Sequence, residues 1–337
     1  MQNVVITGAT GSVGTKVVEL IGQRTKDYKI IGIAGFKNAK KLEQMAKKHK
    51  IKNIWHSDCT ESKLINMVED PAAHLIVIAN SGNISLKIYK KSVKLGKKVA
   101  IASKEAIIQG GGEVMNLAKK TGAQIIPLDS EMVALTQLLQ NNKNEINKIY
   151  LTCSGGPFLK QNAKFIAEVT PRTALKHPTW KMGKKISIES ALWINKGYEI
   201  IEAHILFGIP LEKIEVIIHP QSYVHSIVEF KDGTSVAQLS INDMKIAINY
   251  ALSSLSFDEK LSSRRLQMPS LSLINKKLEF FSPNNKTLIT GINLVLKAFK
   301  NGKITDFINL SDNLIDRFLN KEIKFLDIYG ALNKLVK

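Results

Sequence analysis

The chain has 337 residues, of which 44% are hydrophobic, and it carries a formal charge of +19. This length and apolar content predict large cores in two or three domains. The sequence has no apolar run of the roughly 18 residues that a membrane span needs, and a strand from Asn3 leaves no room for a signal peptide. We therefore expect a cytoplasmic protein without a membrane partner.

The positive charge is spread along the chain. Lysine pairs such as Lys40-Lys41 and Lys90-Lys91 recur in nearly every predicted helix and do not form one patch interleaved with aromatic residues. Specific nucleic-acid binding is therefore not expected, although a basic surface can steer phosphorylated substrates. Cys59 and Cys153 have no paired spacing, which argues against a disulfide framework and a thiolate metal site.

The N-terminus has the pattern of a dinucleotide-binding unit. A β-branched run over residues 3–8 leads into a turn with Gly8, Gly11 and Gly14, and an apolar-periodic helix follows. Glycines allow a tight turn and a close approach of the backbone to a pyrophosphate, which the helix N-terminus attracts. The turn over residues 8–14 is therefore predicted to bind a dinucleotide.

The second predicted strand, residues 29–34, indicates which dinucleotide is bound. It ends in Gly35, Phe36, Lys37 and Asn38, without the acid that usually meets a free ribose 2′-hydroxyl. Lys37 therefore favours NADP over NAD, unless it is only a solvated lysine. Strands and helices continue to alternate, with strands at 51–55, 75–80, 98–102 and 124–128 and helices from 40 and near 61–69, 84–95 and 111–121.

Two of these strands end in polar residues. Ser103, Lys104 and Glu105 follow one strand, and Asp129, Ser130 and Glu131 follow another. Ligands of parallel sheets bind outside the carboxyl ends of the strands. Paired carboxylates without histidine or thiolate neighbours suit Mg²⁺ or Mn²⁺. The alternative is that Asp129 and Ser130 cap a helix and Glu131 is a first-turn acid.

The pattern changes after residue 148. A strand at 148–152 ends in a Gly-Gly turn over residues 153–158 that can offer a hydroxyl and N–H groups to a phosphate. Strands at 213–218, 224–230 and 235–240 predict a smaller antiparallel or mixed sheet, residues 255–283 are irregular, and 284–337 are helical. We therefore predict an α/β protein with three domains. These are a Rossmann-like doubly wound parallel sheet (1–148), a central α+β catalytic and dimerisation domain (149–283) with a lid near 177–185, and a small C-terminal helical bundle (284–337).

Residues 177–203 are unusually rich in reactive groups. His177 and Trp180 lie in a Lys-rich loop that can close over a ligand, and a helix follows. Around that helix Trp193, Ile194, Ile200, Ile201 and Ile205 share one arc, while Asn195, Glu199 and Glu202 share the opposite arc with Lys196 at its edge. The polar arc is either a solvated face or part of a binding site. Further on, His219 and His225 fit structural and catalytic roles equally well.

Together these motifs resemble the 1-deoxy-D-xylulose 5-phosphate reductoisomerases. The resemblance runs through residues 8–14, 103–105, 127–131, 152–158, 177–203 and 219–226. It implies an oxidoreductase that uses NADPH and Mg²⁺ or Mn²⁺ to rearrange and reduce this ketose phosphate to 2-C-methyl-D-erythritol 4-phosphate in non-mevalonate isoprenoid biosynthesis. The family is typically homodimeric.

The resemblance also implies roles for individual residues. Asp129, Glu131 and Glu199 look like the metal ligands, and Lys104, Glu131 and His177 look like the catalytic residues. The residues implied at the substrate are Lys104, Ser130, Glu131, Ser154, His177, Trp180, Met182, Ser190, Asn195, Lys196, Glu199 and His225. Of these, Ser154, Ser190, Asn195 and Lys196 would bind the phosphate, and Trp180 and Met182 would form the lid. The residues implied at the cofactor are Thr10, Gly11, Ser12, Val13, Gly35, Lys37, Asn38, Ser103, Glu105 and Gly183.

Several positions depart from the family pattern. Ser103 stands where the family has Asn, and Met132 stands where a His usually follows the acidic motif. Residues 240–248 only partly match a Gly- and Pro-bearing segment. Two other functions therefore stay open: an NADP-dependent dehydrogenase without rearrangement, and a non-enzymatic NADP-sensing protein.

Overall fold

The structure, a computed structural model, describes residues 1–36, 38–56, 58–140, 145–180, 182–255 and 265–337. Lys37, predicted to bind the cofactor, lies outside these residues, as do positions 256–264 of the segment predicted to be irregular. The chain forms two compact units. The first unit contains Met1–Val133 and Asp243–Pro269, and the second contains Ala134–Asn242 and Ser270–Lys337. The predicted division into three domains stays a prediction.

A parallel six-stranded sheet forms the centre of the first unit. Its strand order is β3-β2-β1-β4-β5-β6, which confirms the predicted Rossmann-like sheet. The strands are β1 (Gln2–Thr7), β2 (Tyr28–Ala34), β3 (Asn53–Trp55), β4 (Leu75–Ile78), β5 (Lys98–Ile101) and β6 (Ile125–Pro127). The helices after them are α1 (Ser12–Gly22), α2 (Ala39–His49), α3 (Glu61–Glu69), α4 (Asn83–Lys94), α5 (Lys104–Thr121) and α6 (Ser130–Leu138).

Burial on both faces explains the apolar strands of this sheet. All four residues of β4 are buried, as expected for a central parallel strand covered by crossover helices. The later helix α11 (Met244–Ser254) also packs on α1 in this unit. The Tyr28 hydroxyl donates to the Leu252 carbonyl at 2.6 Å, and Arg24 Nη1 donates to Ser253 Oγ at 2.8 Å. The chain thus returns to the first unit after building most of the second.

Helix α5 begins earlier than the apolar periodicity predicts. It starts at Lys104, because the Ser103 hydroxyl accepts a hydrogen bond from the Ala106 N–H and caps it. The expected start near 111 instead coincides with Gly111, whose φ of 50° and ψ of −152° interrupt the helical backbone. The motif at 103–105 is therefore the first turn of a helix.

The second unit contains a mixed four-stranded sheet in the order β10-β9-β7-β8. Strands β7 (Ile146–Cys153) and β8 (Ile214–Ile218) are parallel, and β9 (Val224–Phe230) is antiparallel to both β7 and β10 (Ser235–Leu239). The predicted mixed sheet is thus confirmed. Four helices lie between β7 and β8, namely α7 (Ala163–Ala167), α8 (Pro171–Ala174), α9 (Lys184–Ala191) and α10 (Ile194–Phe207).

Three helices close the chain, as predicted: α12 (Lys286–Lys300), α13 (Ile304–Leu319) and α14 (Phe325–Val336). Their apolar faces meet around Leu314, Phe318 and Phe325, which are almost fully buried. Helix α12 packs along α10, and α13 packs on α9. Among the helices of the described residues, none combines the length and the apolarity required to cross a bilayer.

Candidate active site

The turn between β1 and α1 is built for close approach of a ligand. Gly8 has a φ of +72°, and a Cβ on Gly14 would lie 2.2 Å from the Gly8 carbonyl oxygen. Gly11 precedes α1 without a side-chain cap, so its position leaves the first N–H groups of the helix to an anion. Thr10, Ser12 and Val13 belong to this turn or to the first turn of α1. The geometry fits a dinucleotide pyrophosphate.

The end of β2 lies against the same turn. A Cβ on Gly35 would lie 3.1 Å from Thr10 Cγ2, and Asn38 caps α2 by accepting from the Lys41 N–H at 2.9 Å. Lys41 also places its ammonium 2.9 Å from the Thr10 carbonyl oxygen and 3.0 Å from Thr15 Oγ1. Of the two cations Lys37 and Lys41, the sequence pattern predicted only Lys37. Lys41 lies in the first turn of α2, close after the end of β2, and this position could have indicated a cofactor contact.

A buried ion pair joins two strand ends of the first unit. Lys104 follows β5 and donates from its ammonium to Asp129 Oδ2, and both side chains are almost fully buried. Ser103 donates to Glu105 Oε2 at 3.3 Å while capping α5. The three residues predicted from the first polar motif thus share one helix start.

Asp129 has the capping role that the sequence left open as one of two alternatives. Its Oδ1 accepts from the Glu131 N–H at 3.0 Å and the Met132 N–H at 3.1 Å, which makes it the cap of α6. Its Oδ2 instead bonds Lys104. The Ser130 hydroxyl donates to Glu131 Oε2 at 2.5 Å. The cap occupies one carboxylate oxygen of Asp129. Carboxylate oxygens, as in Asp129 and Glu131, are the ligands that a hard divalent ion prefers.

In the second unit, Ser154 and His177 form a hydrogen-bonded pair. His177 Nδ1 accepts from the Trp180 N–H at 3.0 Å, so the neutral ring carries its proton on Nε2, which lies 3.3 Å from Ser154 Oγ. Burial lowers the pKa of His177 to about 4, which keeps the ring neutral at pH 7. Ser154 Oγ also accepts from the Gly156 N–H at 3.2 Å. Since both contacts use the oxygen as acceptor, the Ser154 proton remains available to an anion.

The break between α9 and α10 lies beside this pair. Trp193 takes a left-handed backbone with φ of 55° and donates from Nε1 to the Gly155 carbonyl at 3.1 Å. A Cβ on Gly156 would lie 3.3 Å from the Ser190 carbonyl oxygen. The structure therefore places the backbone of Ser190 next to the turn that carries Ser154, and His177 bonds Ser154 at the same turn.

The polar arc of α10 is buried, so the solvated-face alternative is wrong. Lys196 is 5% exposed, Glu199 2% and Glu202 1%. Asn195 Nδ2 donates to Glu199 Oε1 at 2.6 Å, and the Lys196 ammonium donates to Glu199 Oε2 and, at 2.6 Å, to the Thr152 carbonyl. Two residues predicted to bind phosphate thus bond the predicted metal ligand Glu199.

The predicted lid contacts a histidine. The Trp180 ring lies 6.1 Å from the imidazole of His225, measured between centroids. His225 is buried, and its Nε2 lies 3.0 Å from Ser240 Oγ. Met182 is partly buried, and the adjacent Gly183 occupies the cap position of α9.

His219 has contacts that indicate a structural role. Its Nδ1 donates to the Glu279 carbonyl at 2.9 Å, its Nε2 accepts from the Tyr223 N–H, and its ring stacks on Phe280. Burial lowers the pKa of His219, which matches the neutral form that these bonds require.

Comparisons with known proteins identify the family. Models of the 1-deoxy-D-xylulose 5-phosphate reductoisomerase match residues 4–63 and 56–111, and models of its C-terminal domains match 125–207 and 239–337. The reductoisomerase of Caldanaerobacter subterraneus subsp. tengcongensis is 36% identical, over 100% of this chain and 92% of the relative. The chain belongs to the 1-deoxy-D-xylulose 5-phosphate reductoisomerase family. The reductoisomerase of Endomicrobium trichonymphae is 37% identical with the same coverage.

Solved structures of reductoisomerases share the fold. A crystal structure of the enzyme with NADPH, fosmidomycin and magnesium superposes with a TM-score of 0.90 at 30% identity, over 100% of this chain and 89% of the other. The Zymomonas mobilis enzyme with NADPH gives a TM-score of 0.86 at 30% identity, over 99% and 91%. The predicted family is therefore confirmed across the whole chain, including the segments that depart from the family pattern.

Proposed function

We propose that this protein converts 1-deoxy-D-xylulose 5-phosphate to 2-C-methyl-D-erythritol 4-phosphate with NADPH and Mg²⁺ or Mn²⁺, in non-mevalonate isoprenoid biosynthesis. The observation that carries the proposal is the Lys104–Asp129 pair beside Glu131. These residues follow β5 and β6 at the carboxyl edge of the parallel sheet, where β1 also leads into the dinucleotide turn. A dehydrogenase without rearrangement needs the turn but does not need two neighbouring carboxylates, Asp129 and Glu131, at this edge of the sheet.

The first unit would bind NADPH. Thr10, Gly11, Ser12 and Val13 would hold the pyrophosphate, and Gly35, Lys37 and Asn38 would meet the 2′-phosphate side of the ribose. The glycine cradle of the turn supports this assignment. Ser103 and Glu105 of the first unit, and Gly183 of the second unit, complete the proposed cofactor set. NADPH supplies the hydride that reduces the rearranged aldehyde.

Asp129, Glu131 and Glu199 would hold the divalent ion. Their carboxylates are hard oxygen ligands, which fits Mg²⁺ or Mn²⁺. Such an ion, held by these three residues, would supply Lewis-acid stabilisation of the negative charge that develops on the substrate. Lys104 would add positive charge next to the substrate, and Ser130 would orient it.

The second unit would bind the phosphate and cover the substrate. Ser154 is suited to donate to a phosphate oxygen, because its bonds to His177 and Gly156 use only its acceptor capacity. Ser190, Asn195 and Lys196 would add donors. Since the phosphate is remote from the reacting carbons, its binding energy holds the two fragments in place while they recombine.

Neutral His177 and the predicted lid would act next to the bound substrate. The His177 N–H fixes the orientation of Ser154, and the ring would contact the substrate directly. Trp180 and Met182 would exclude water from the reacting groups, with His225 packed against the Trp180 ring. This exclusion protects the fragments from side reactions.

The active form is proposed to be a cytoplasmic homodimer. Exposed apolar side chains of the second unit, among them Leu273, Ile274, Phe280 and Phe281, support a surface that a second copy would cover. Both cysteines are free thiols, which suits a reducing compartment. Light scattering should give twice the chain mass of 37.4 kDa.

An NADPH-oxidation assay with the phosphorylated ketose tests the proposed function. We expect turnover with Mg²⁺ or Mn²⁺ and its loss when the ion is chelated. A substrate carrying ¹³C at both carbons of the bond that breaks should give a product without one-bond ¹³C–¹³C coupling between them in the NMR spectrum. Retained coupling would indicate a simple dehydrogenase, and tight NADPH binding without turnover in any metal would indicate a sensing protein.

A further inference from the structure

The C-terminal helices pack directly on the junction between α9 and α10. A Cβ on Gly291 of α12 would lie 1.9 Å from the Leu192 carbonyl oxygen, and one on Gly197 would lie 2.7 Å from Val295 Cβ. The Tyr329 hydroxyl of α14 donates to the same Leu192 carbonyl at 2.8 Å. Burial raises the pKa of Tyr329, so the hydroxyl stays protonated. The junction that carries Ser190 and Asn195 is thus held from the C-terminal side.

An ion pair extends this contact to the start of α9. The Lys185 ammonium lies 2.7 Å from Asp312 Oδ1 on α13 and 3.7 Å from Glu189 Oε1 on the next turn of α9. The Lys185 and Asp312 side chains are only 27% and 34% exposed, which limits solvent screening of their attraction.

Lys185 needs a compensating charge at this position. It lies in the first turn of α9, where a cation opposes the helix dipole, and this turn contains no acid. Gly183 caps α9 without a side-chain bond, so the helix start depends on tertiary contacts. Asp312 of α13 supplies negative charge to Lys185, in addition to Glu189 on α9 itself.

We infer that Asp312 is a positioning residue of the reductoisomerase. Through Lys185 it holds the first turn of α9 and thereby Ser190 and the end of the lid segment at Gly183. The inference rests on the proposed function, because Ser190 matters only if it binds the substrate phosphate. It gives the C-terminal helices, which carry no reacting group, a role in substrate affinity.

Kinetics of Asp312→Asn test the inference. We expect KM for the phosphorylated ketose to rise about five- to tenfold, with kcat changed less than about twofold, because a remote phosphate contact acts on binding. Asp312→Glu keeps the charge and should recover most of the affinity. Asp316→Asn, at an exposed acid one turn further along α13, is the matched control and should behave as the wild type.

Hydrogen exchange of the α9 amides provides a readout that does not depend on activity. In Asp312→Asn, residues 184–191 should exchange about three- to tenfold faster, and in Asp316→Asn they should not. Unchanged exchange and unchanged ketose KM in Asp312→Asn would overturn the inference, as would equal changes in both variants. A lower kcat with an unchanged ketose KM would mean lost folded enzyme and would also overturn it. If the wild type never turns the ketose over, the proposed function fails, while the exchange result still decides whether Asp312 holds α9.

Discussion

The predicted site residues of the first unit and those of the second unit are held in position by different kinds of contact. In the first unit, Lys104, Asp129 and Glu131 follow strands of one parallel sheet, and the cap of α6 fixes Asp129 through backbone N–H groups. In the second unit, Ser190 and Asn195 flank a helix break that α12 and α14 hold from more than 90 positions away in sequence. Local backbone geometry places the first group, and tertiary packing places the second.

This difference allows variants that remove a proposed site side chain to be distinguished from variants that alter only the packing behind the site. A change at Glu131 removes a proposed metal ligand from a scaffold that is fixed elsewhere. A change in the C-terminal helices touches no predicted site residue but alters the backbone on which several of them lie. The variants below test each side of the comparison.

Replacing Glu131 by Gln should have the largest effect. Losing one proposed ligand removes several kcal/mol of charge stabilisation, and metal-dependent turnover should fall at least about 1,000-fold, since each tenfold corresponds to about 1.4 kcal/mol. NADPH binding, followed by its fluorescence, should be retained. Glu113→Gln, at a side chain 80% exposed on α5, should leave turnover unchanged. Wild-type turnover in Glu131→Gln would reject Glu131 as a ligand.

Replacing Gly291 by Ala should destabilise the second unit without changing any site residue. The new Cβ would lie 1.9 Å from the Leu192 carbonyl oxygen, so backbone must move, at a cost of about 2–3 kcal/mol in the free energy of unfolding. Urea unfolding should show a lower midpoint. Gly330→Ala is the control, because its Cβ would meet no described atom within 4 Å in helix α14. It should stabilise by about 0.5–1 kcal/mol, and similar destabilisation by both variants would contradict the packing argument.

The sequence predicted the first unit better than the second for a physical reason. Buried β-branched runs and strand-end motifs are local signals, so the sheet and the polar residues at its carboxyl edge were predicted. The start of α5 was wrong because apolar periodicity does not register the cap at Ser103. The position of α11 in the first unit depends on tertiary bonds such as that from Tyr28 of β2 to Leu252, which leave no pattern in the sequence.

The second site group shows where local patterns fail. Amphipathic spacing left open whether the polar arc of α10 faces solvent, and burial of Lys196 and Glu199 decides against it. Trp193, at the helix break, has a positive φ, which the sequence does not predict because the residue is neither Gly nor Asn. The family resemblance implied roles for most of these residues, but the bonds from Asn195 and Lys196 to Glu199 are visible only in the structure.

Replacing Tyr329 by Phe should have a smaller effect than Gly291→Ala. The variant keeps the ring but leaves the buried Leu192 carbonyl without this donor, which should cost about 1–2 kcal/mol of unfolding free energy. Urea unfolding measures it, and we also expect a modest rise in KM for the ketose. An unchanged urea midpoint would mean that the bond does not support the junction.

The smallest effect should be the pH dependence contributed by His177. Its folded pKa of about 4 lies below the ordinary value of 6.5, so the unfolded chain binds more protons between these values. Stability from this group is therefore fully present above pH 6.5 and is lost as pH falls toward 4. Between pH 6.5 and 5.5 the loss should be no more than about 1 kcal/mol, because the ring is only partly buried. Urea unfolding of wild type and His177→Gln across this range measures the difference. Parallel curves for the two proteins would show that His177 keeps its ordinary pKa in the folded protein and would contradict the lowering by burial.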